Sequence, residues 1–427
     1  MLFTIGKLCA IILLKTPKEL NKMNIITEKA RELEIKHEYD VIAVGGGIAG
    51  VSAALAAKRA GAEKVLLIEK MYGLGGLATL GLVTIYLPIC DGMGRQVSFG
   101  LAEELLKLSM KDGIECRDPV HWTSEYSVEE RAAAERYEVQ YNANVYAIQL
   151  EQQLRQEGID ILYGTSVCAV NTEDSKINAL IVENKSGRYA LACRSVVDCT
   201  GDADICKFAG EETALYEQKN VLAAWYYDTN DSEYNLHMLG YAEIPESDRQ
   251  KLKIQLDTTE RFTGVDAEEI SHMMELSHAQ TLADFLKKGN VTKKHSLSTI
   301  SSIPHLRMTR RIKGVADLDS KDDKVYKETS IGMISNWRKR GPVYEVPFET
   351  LYGKNIKNLI TAGRCISAAD NMWDISRVIP CCAVTGEAAG AAAAMSDDFA
   401  TLDVAKLQEH LLARNVVLHW DDVKNIK

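Results

Sequence analysis

Apolar residues in this chain gather into short continuous runs separated by helical and turn patterns. Tyr39 to Val44, Val65 to Ile68, Ile159 to Tyr163, Ser195 to Cys199 and Asn358 to Gly363 each read as a strand buried on both faces of a parallel sheet. Between the first two lies a helical run, Val51 to Ala60, rich in alanine and closed by Gly61. Ser98 to Asp112 is amphipathic, with Leu101, Leu105 and Leu108 on one face and Gly113 as a stop. Asn144 to Glu157 carries Ile148 and Leu154 and ends at Gly158. Three β-like runs follow: Ser166 to Asn171, Ile177 to Glu183 and Arg188 to Cys193. The tetrapeptide Asn184-Lys185-Ser186-Gly187 makes the hairpin turn between the last two. The order predicts an α/β fold, with a parallel sheet taking strands from both ends of the segment and a three-stranded meander covering one face.

The character changes from about Tyr216 to Gly341. Leu222 to Tyr227 predicts a strand, and Ala267 to Lys288 a long helix bearing Ile270, Met274, Leu282 and Phe285. Lys287, Lys288, Lys293 and Lys294 read as a solvated face. The acidic stretch Asp317 to Asp323 lacks the glycine of a calcium loop and reads as an exposed turn. Thr385-Gly386-Glu387-Ala388-Ala389-Gly390 then opens an alanine-rich helix through Ala394. Its small residues permit close packing on the sheet, and the N–H groups at its start suit negative charge.

The chemistry centres on Val44-Gly45-Gly46-Gly47-Ile48-Ala49-Gly50 and on Glu69, which ends the next strand. A dinucleotide needs each part: Gly45 for a tight turn, Gly47 for backbone approach to a pyrophosphate, Gly50 for helix–strand packing, and an acid for ribose hydroxyls. A turn that only packs a helix on a sheet would not need Glu69 at that spacing. A second glycine cluster, Gly73 to Gly81, follows directly and suits a loop lying close over a flat ligand.

Composition narrows the field. With 427 residues, 46% hydrophobic and 26% charged, the chain has room for two domains with ample cores. A net charge of −10 disfavours nucleic acid and anionic membranes as main partners. The ten cysteines include Cys90, Cys116, Cys168, Cys199 and Cys365 and form no CxxC pair, which speaks against a zinc ribbon or iron–sulfur cluster and suits a reducing cytoplasm. The nine histidines show no HxxxH spacing, so no metal is expected. Leu8 to Leu14 is too short an apolar run to cross a bilayer, and no other stretch is long enough. The N-terminal residues are expected to be a disordered or artefactual extension, with Met23 a plausible start.

Taken together, the GGGIAG turn, Glu69, the LGGLATLG loop, the DCTGDAD segment and the NLITAGR and TGEAAGAAAA segments resemble FAD-dependent oxidoreductases with the glutathione-reductase-like flavin fold. The likeness covers roughly residues 38 to 396. Within that group the chain is most similar to bacterial single-chain members, distant relatives of the fumarate reductase and tricarballylate dehydrogenase flavoproteins. The resemblance implies a three-layer Rossmann-like FAD-binding domain of residues 37–215 and 341–399, with an inserted β-meander. An α+β substrate or cap domain would span 216–340. Residues 1–36 would be the disordered extension and 400–427 a helical C-terminal segment.

The same resemblance assigns cofactor contacts. Gly45, Gly47, Ile48 and Ala49 would hold the pyrophosphate, and Glu69 the adenosine ribose with Lys70 beside it. Gly75, Gly76, Leu77, Ala78 and Thr79 would pass near the ribityl chain or flavin, and Thr200, Gly201 and Asp204 along the nucleotide. Gly363 and Arg364 would approach the ribityl–phosphate region. Gly386 and Ala388 would set the last helix start near the flavin N1–C2 carbonyl edge. Many such flavoproteins carry an acid after the glycine of the C-terminal strand; here Arg364 and Cys365 stand there. There is one GxGxxG segment and no redox CxxC, so a pyridine nucleotide with its own domain is not expected.

For catalysis, the His305-Leu306-Arg307 segment stands out. By analogy with fumarate reductases, Arg307 would anchor substrate or deliver a proton, with His305 as acid or base. Arg377 is a second candidate, unless it only pairs with Asp374. Tyr86 and Cys90 are candidates for the pocket lining, Cys90 more plainly as packing; the adjacent Cys381 and Cys382 read as packing. The expected function is hydride transfer between FAD and a small polar or anionic organic substrate. Rival readings are an FAD-dependent RNA-modifying enzyme and a scaffold that keeps FAD as a structural element. The electron acceptor or donor and the oligomeric state have no signature in the sequence.

Overall fold

The computed structural model describes residues 28–112, 126–134, 136, 138–240 and 258–423. Gly113 and Cys116 lie outside them, as does most of the expected N-terminal extension. From Ile35 onward the described residues form one compact unit. Of the extension expected over 1–36, Ile35 and Lys36 already belong to the first strand.

Strand β1 (Ile35–Val44), helix α1 (Ile48–Arg59) and strand β2 (Val65–Ile68) form the opening unit. Helix α2 (Leu101–Lys111) starts three residues later than the pattern predicts, because Gly100 at φ 58° breaks the backbone before it. Helix α3 (Ala143–Gln156) is capped by Asn142, whose side chain accepts from the Asn144 and Val145 N–H groups. Its buried face is Tyr146, Leu150 and Leu154, while Ile148 is exposed. Next come β3 (Asp160–Leu162), β4 (Ser166–Glu173), β5 (Lys176–Asn184) and β6 (Gly187–Asp198). Between β5 and β6 the Asn184 side chain accepts from the Ser186 N–H, closing a two-residue turn.

The two runs expected around Arg188 and Ser195 are one strand, β6. That continuity changes the architecture. The meander is hydrogen-bonded into the main sheet, whose order is β3-β2-β1-β6-β5-β4. Strand β10 (Leu359–Thr361) pairs in parallel with the second half of β6. Ile177, Leu180 and Val182 still pack on one face, in a cluster with Ile42, Val44 and Leu66. Alternate residues Val41 and Ala43 face α1 and the last long helix on the other side.

Helix α4 (Asp204–Ala209) follows β6. Strands β7 (Ala224–Asn230), β8 (Glu233–Leu239) and β9 (His295–Ile300) form a separate antiparallel sheet of order β8-β7-β9. Helix α5 (Ala267–Lys287) buries Met273, Ser277, Thr281 and Phe285, a strict i, i+4 stripe. Leu282, expected on the buried face, is half exposed.

After β10 come α6 (Asp370–Ser376) and α7 (Ile379–Met395). Helix α7 starts six residues before the predicted Thr385, with Pro380 in its first turn, where the missing N–H costs nothing. It is buried along almost its whole length and lies on α1 in very close contact. A Cβ on Gly386 would fall 2.4 Å from the Ala49 carbonyl oxygen, and one on Gly390 2.0 Å from that of Ala53. Among the described residues no single helix is long and apolar enough to cross a membrane.

Candidate functional site

The parallel strands end in register: Val44 pairs with Ile68 and Asp198, and Asp198 with Thr361. Gly45, Glu69, Cys199 and Ala362 therefore emerge side by side at the carboxyl edge of the sheet. A cleft of about 490 Å³ opens there, the usual place for a ligand in an open α/β sheet.

The three motif glycines have different reasons to be glycine. Gly45 has φ +105°, and its Cβ would lie 2.4 Å from the Cys199 carbonyl oxygen. A Cβ on Gly50 would lie 1.8 Å from the Gly45 carbonyl oxygen. Both are fixed by the protein's own packing. Gly47, with φ −68° and ψ 177°, would suit any residue, and nothing lies within 4 Å of where its Cβ would stand. Its bareness leaves room in the cleft instead. Directly behind it, α1 begins with no side-chain cap and no acid in its first turn. Ile48 and Ala49 line the cleft at that uncapped helix start, which suits a phosphate group. This opening, bounded by backbone and closed to side chains, fits a dinucleotide pyrophosphate.

The second glycine loop runs alongside the first. Gly75 N–H donates to the Gly46 carbonyl at 2.8 Å, and Gly75 to Ala78 line the cleft. Thr79 does not: it is buried, and its hydroxyl donates to the Leu74 carbonyl within the loop. Glu69 is buried beside the turn. One carboxylate oxygen accepts from Gly46 N–H at 2.6 Å and the other from Met71 N–H at 2.7 Å. It therefore braces the turn as well as facing the cleft, next to Lys70, and each oxygen retains a lone pair for a ribose hydroxyl.

Asp198, fully buried, organises the next wall. It accepts from the Thr200 N–H and hydroxyl at 3.1 and 2.7 Å, and from the Ile205 and Cys206 N–H groups at 3.0 Å each. Thr200, Gly201 and Asp204 line the cleft as a result. Burial pushes the Asp204 carboxyl up to about 6, helped by Asp202 and Asp198 and opposed by Arg310 and Lys70. Arg310 donates to Asp204 at 2.6 Å.

Arg364 lines the cleft where an acid is usual in the resembling flavoproteins. It donates to the Leu306 carbonyl at 2.6 Å and approaches Asp202 at 3.4 Å. Gly363 itself sits underneath, at φ +74°, with its N–H donating to the Thr385 hydroxyl at 3.0 Å. Gly386 and Ala388 also stand apart from the cleft. Because α7 starts at Ile379, they lie two turns into the helix, with Gly386 against α1. Its first turn instead presents Ile379 and Cys382, again with no side-chain cap.

The candidate catalytic residues separate. Arg377 lines the cleft and pairs with Asp374 through Nε at 3.0 Å. Arg307 and His305 do not line it. Both are buried behind the wall that Ser302, Ile303, Pro304 and Leu306 form, where the Arg307 guanidinium lies 5.4 Å from the Trp225 ring centroid and the His305 ring meets Trp225 edge-on at 5.8 Å. Neither His305 ring nitrogen makes a hydrogen bond of normal geometry. Burial, then the Arg307 charge, pushes its pKa down to about 3, against a weak contact with the Gly81 backbone. The ring therefore favours its neutral form, with one N–H and one bare nitrogen, over the imidazolium a general acid would need. Tyr86 is fully buried, with its hydroxyl on the Ala102 carbonyl at 2.6 Å, and Cys90 is away from the cleft.

Other parts of the lining were not foreseen either. Thr165 to Val167 stand beside Glu69, with Thr165 N–H on the Glu69 carbonyl at 3.2 Å. Parallel pairing of β2 and β3 brings them there, a cue available from strand order. Asp202 holds the Thr309 hydroxyl at 2.6 Å. Ser302, Ile303, Pro304 and Leu306 arrive from the far segment, with Ser302 N–H on the Leu80 carbonyl at 2.9 Å, and no local pattern marks the first three. Among the described residues no group of His, Cys, Asp and Glu is arranged to hold a metal ion.

The chain is 27% identical over 158 residues to a thioredoxin reductase of Ureaplasma parvum serovar 3 (strain ATCC 700970), which is 36% of this chain and 43% of that protein. The match thus spans less than half the length of that curated relative. Among solved structures, a geranylgeranyl bacteriochlorophyll reductase-like protein of Thermoplasma acidophilum aligns over 89% of this chain and 87% of its own, at 14% identity and TM-score 0.43. A flavocytochrome c3 fumarate reductase aligns over 84% and 78%, at 16% identity and TM-score 0.40. The p-nitrophenol 4-monooxygenase PnpA of Pseudomonas putida DLL-E4 aligns over 88% and 80%, at 13% identity and TM-score 0.44. The family model described as FAD dependent oxidoreductase matches residues 40–224 and 213–411. The chain belongs to the FAD dependent oxidoreductase family, and FAD is its cofactor.

Proposed function

We propose that this enzyme transfers hydride between FAD and a small anionic organic substrate. The observation that carries the reading is Arg377. Its Nε and Nη2 are taken by Asp374, while Nη1 has no protein hydrogen-bond partner among the described residues, and the side chain lines the cleft. A guanidinium held at a cleft wall favours a carboxylate or similar anion. Arg364 adds a second positive group to the same wall.

In this reading the bound cofactor supplies the two-electron redox chemistry. The protein supplies place and charge. The α1 start and Gly47 take the pyrophosphate, and Glu69 the ribose. The uncapped first turn of α7 stabilises negative charge beside Ile379 and Cys382. Segment 216–340 acts as the cap, and Ser302 to Leu306 keep water from that part of the cleft.

The test is anaerobic mixing of the yellow protein with small hydroxy acids, amino acids and unsaturated dicarboxylates, alongside their neutral amides or alcohols. In separate runs the protein is reduced beforehand, so that either direction of transfer is visible. The reading requires at least one acid to change the flavin band where its neutral counterpart does not. Equal response to the neutral compounds would defeat it.

A further inference from the structure

Arg377 reaches the cleft from a fixed mount. Asp374 precedes it on α6 and accepts its Nε and Nη2 through Oδ1, while Oδ2 accepts from Arg338 Nε. Trp337 lies against both guanidiniums, its ring centroid 4.5 Å from Arg338 Cζ and 6.0 Å from Arg377 Cζ. The same indole donates to the Asp374 backbone carbonyl at 3.0 Å. Burial alone would raise the Asp374 pKa, but Arg377 and then Arg338 hold it below the ordinary carboxylate range. One carboxylate thus serves two guanidiniums, and the group keeps a net positive charge.

This arrangement costs the protein something unless it is used. An arginine whose only task was to balance Asp374 would duplicate Arg338. Arg377 differs in standing at the cleft, with only 7% of its side chain exposed and Nη1 unengaged. Its rotamer freedom is lost on folding and not on ligand binding, which favours affinity.

We propose that Asp374 is a positioning residue: held between Arg338 and Arg377 and against Trp337, it aims Arg377 Nη1 at the anionic group of the substrate. The proposal rests on the anionic-substrate reading above. It assigns Asp374 no contact with the substrate. Its whole effect passes through Arg377.

That last point makes it testable by a double-mutant cycle on the FAD-loaded enzyme. Acetate, benzoate and succinate serve as probes, and perturbation of the visible flavin band reports their binding. Wild type should saturate with at least one of them. Arg377→Gln should weaken that probe about tenfold or more, the scale of a charged hydrogen bond. Asp374→Asn should weaken it comparably with flavin content unchanged. The double variant should bind no worse than Arg377→Gln alone.

Normal binding by Asp374→Asn, or losses that multiply in the double variant, would overturn the proposal. Should Asp374→Asn fail to hold FAD, Trp337→Phe reads the same cycle: it should weaken the probe in wild type and have no effect beside Arg377→Gln. Unchanged binding by Trp337→Phe in wild type would then count against the clamp. Probe binding that survives Arg377→Gln removes the clamp and leaves the anionic reading standing. A wild type indifferent to all three anions sinks both.

Discussion

Replacing Gly47 by alanine should separate folding from cofactor binding. The backbone at φ −68° and ψ 177° is open to alanine, and no atom lies within 4 Å of the new methyl. As a helix N-cap, alanine is poorer than glycine by up to about 1 kcal/mol. The reduced freedom of the unfolded chain returns about 0.4–1 kcal/mol. Apoprotein stability should therefore change by less than about 1 kcal/mol. In the cleft the methyl meets the pyrophosphate. An overpacking cost of about 1–3 kcal/mol, with one weakened charged hydrogen bond of similar size, gives roughly 3 kcal/mol, or about a 150-fold rise in the FAD Kd. Urea unfolding of apoprotein and FAD titration by quenching of flavin fluorescence measure the two effects. Gly50→Ala is the control: its Cβ would stand 1.8 Å from the Gly45 carbonyl oxygen, so it should fail on stability first. If Gly47→Ala binds FAD normally, or unfolds as readily as Gly50→Ala, the reasoning is wrong.

Three further outcomes follow from the same structure. Gly390→Ala pushes a methyl to 2.0 Å from the Ala53 carbonyl and should force α7 off α1, lowering apoprotein stability by about 3 kcal/mol or more; a loss under about 1 kcal/mol in urea would show that the helices can part cheaply. Glu69→Gln keeps acceptor oxygen for only one of the Gly46 and Met71 N–H groups, so FAD should bind about tenfold or more weakly, and an unchanged Kd would remove Glu69 from the site. Glu387 is buried with its carboxylate on the Leu101 N–H at 2.7 Å, and burial pushes it from 4.5 to about 7. The folded state therefore holds a proton that the unfolded chain releases, and this contribution to stability is present below about 4.5 and lost as pH rises through about 7. It amounts to roughly 3 kcal/mol at most. Stability of wild type relative to Glu387→Gln should fall across that window in urea titrations, and parallel pH profiles would contradict it.

The parts of the fold visible in the sequence were those set by local sterics and burial on both faces. Val41 to Val44 and Val65 to Ile68 are apolar throughout because neither side of those strands meets water, and Gly45 and Gly50 are marked because nothing larger fits. The misplaced details were set by distant neighbours. Ile148 and Leu282 are apolar like core residues, yet both are more than half exposed. The start of α7 at Ile379 is hidden because the alanine-rich pattern begins only after Pro380, although proline suits a first helical turn. Gly386, expected near the helix start, instead lies two turns in and against the Ala49 carbonyl of α1. Choosing among arginines was harder still. Arg307 sits in a basic segment and Arg377 beside two aspartates, yet only the tertiary path of the chain near residue 302 decides that the first lies behind the cleft wall.

The account turns on FAD lying in the cleft at the end of β1. The direct measurement is to denature the purified yellow protein, separate the released flavin and quantify it, then repeat with Gly47→Ala purified in parallel. The account predicts FAD near one per wild-type chain and far less from the variant at equal fold content. A colourless wild type that takes up no added FAD, or a variant that carries as much as wild type, would contradict it.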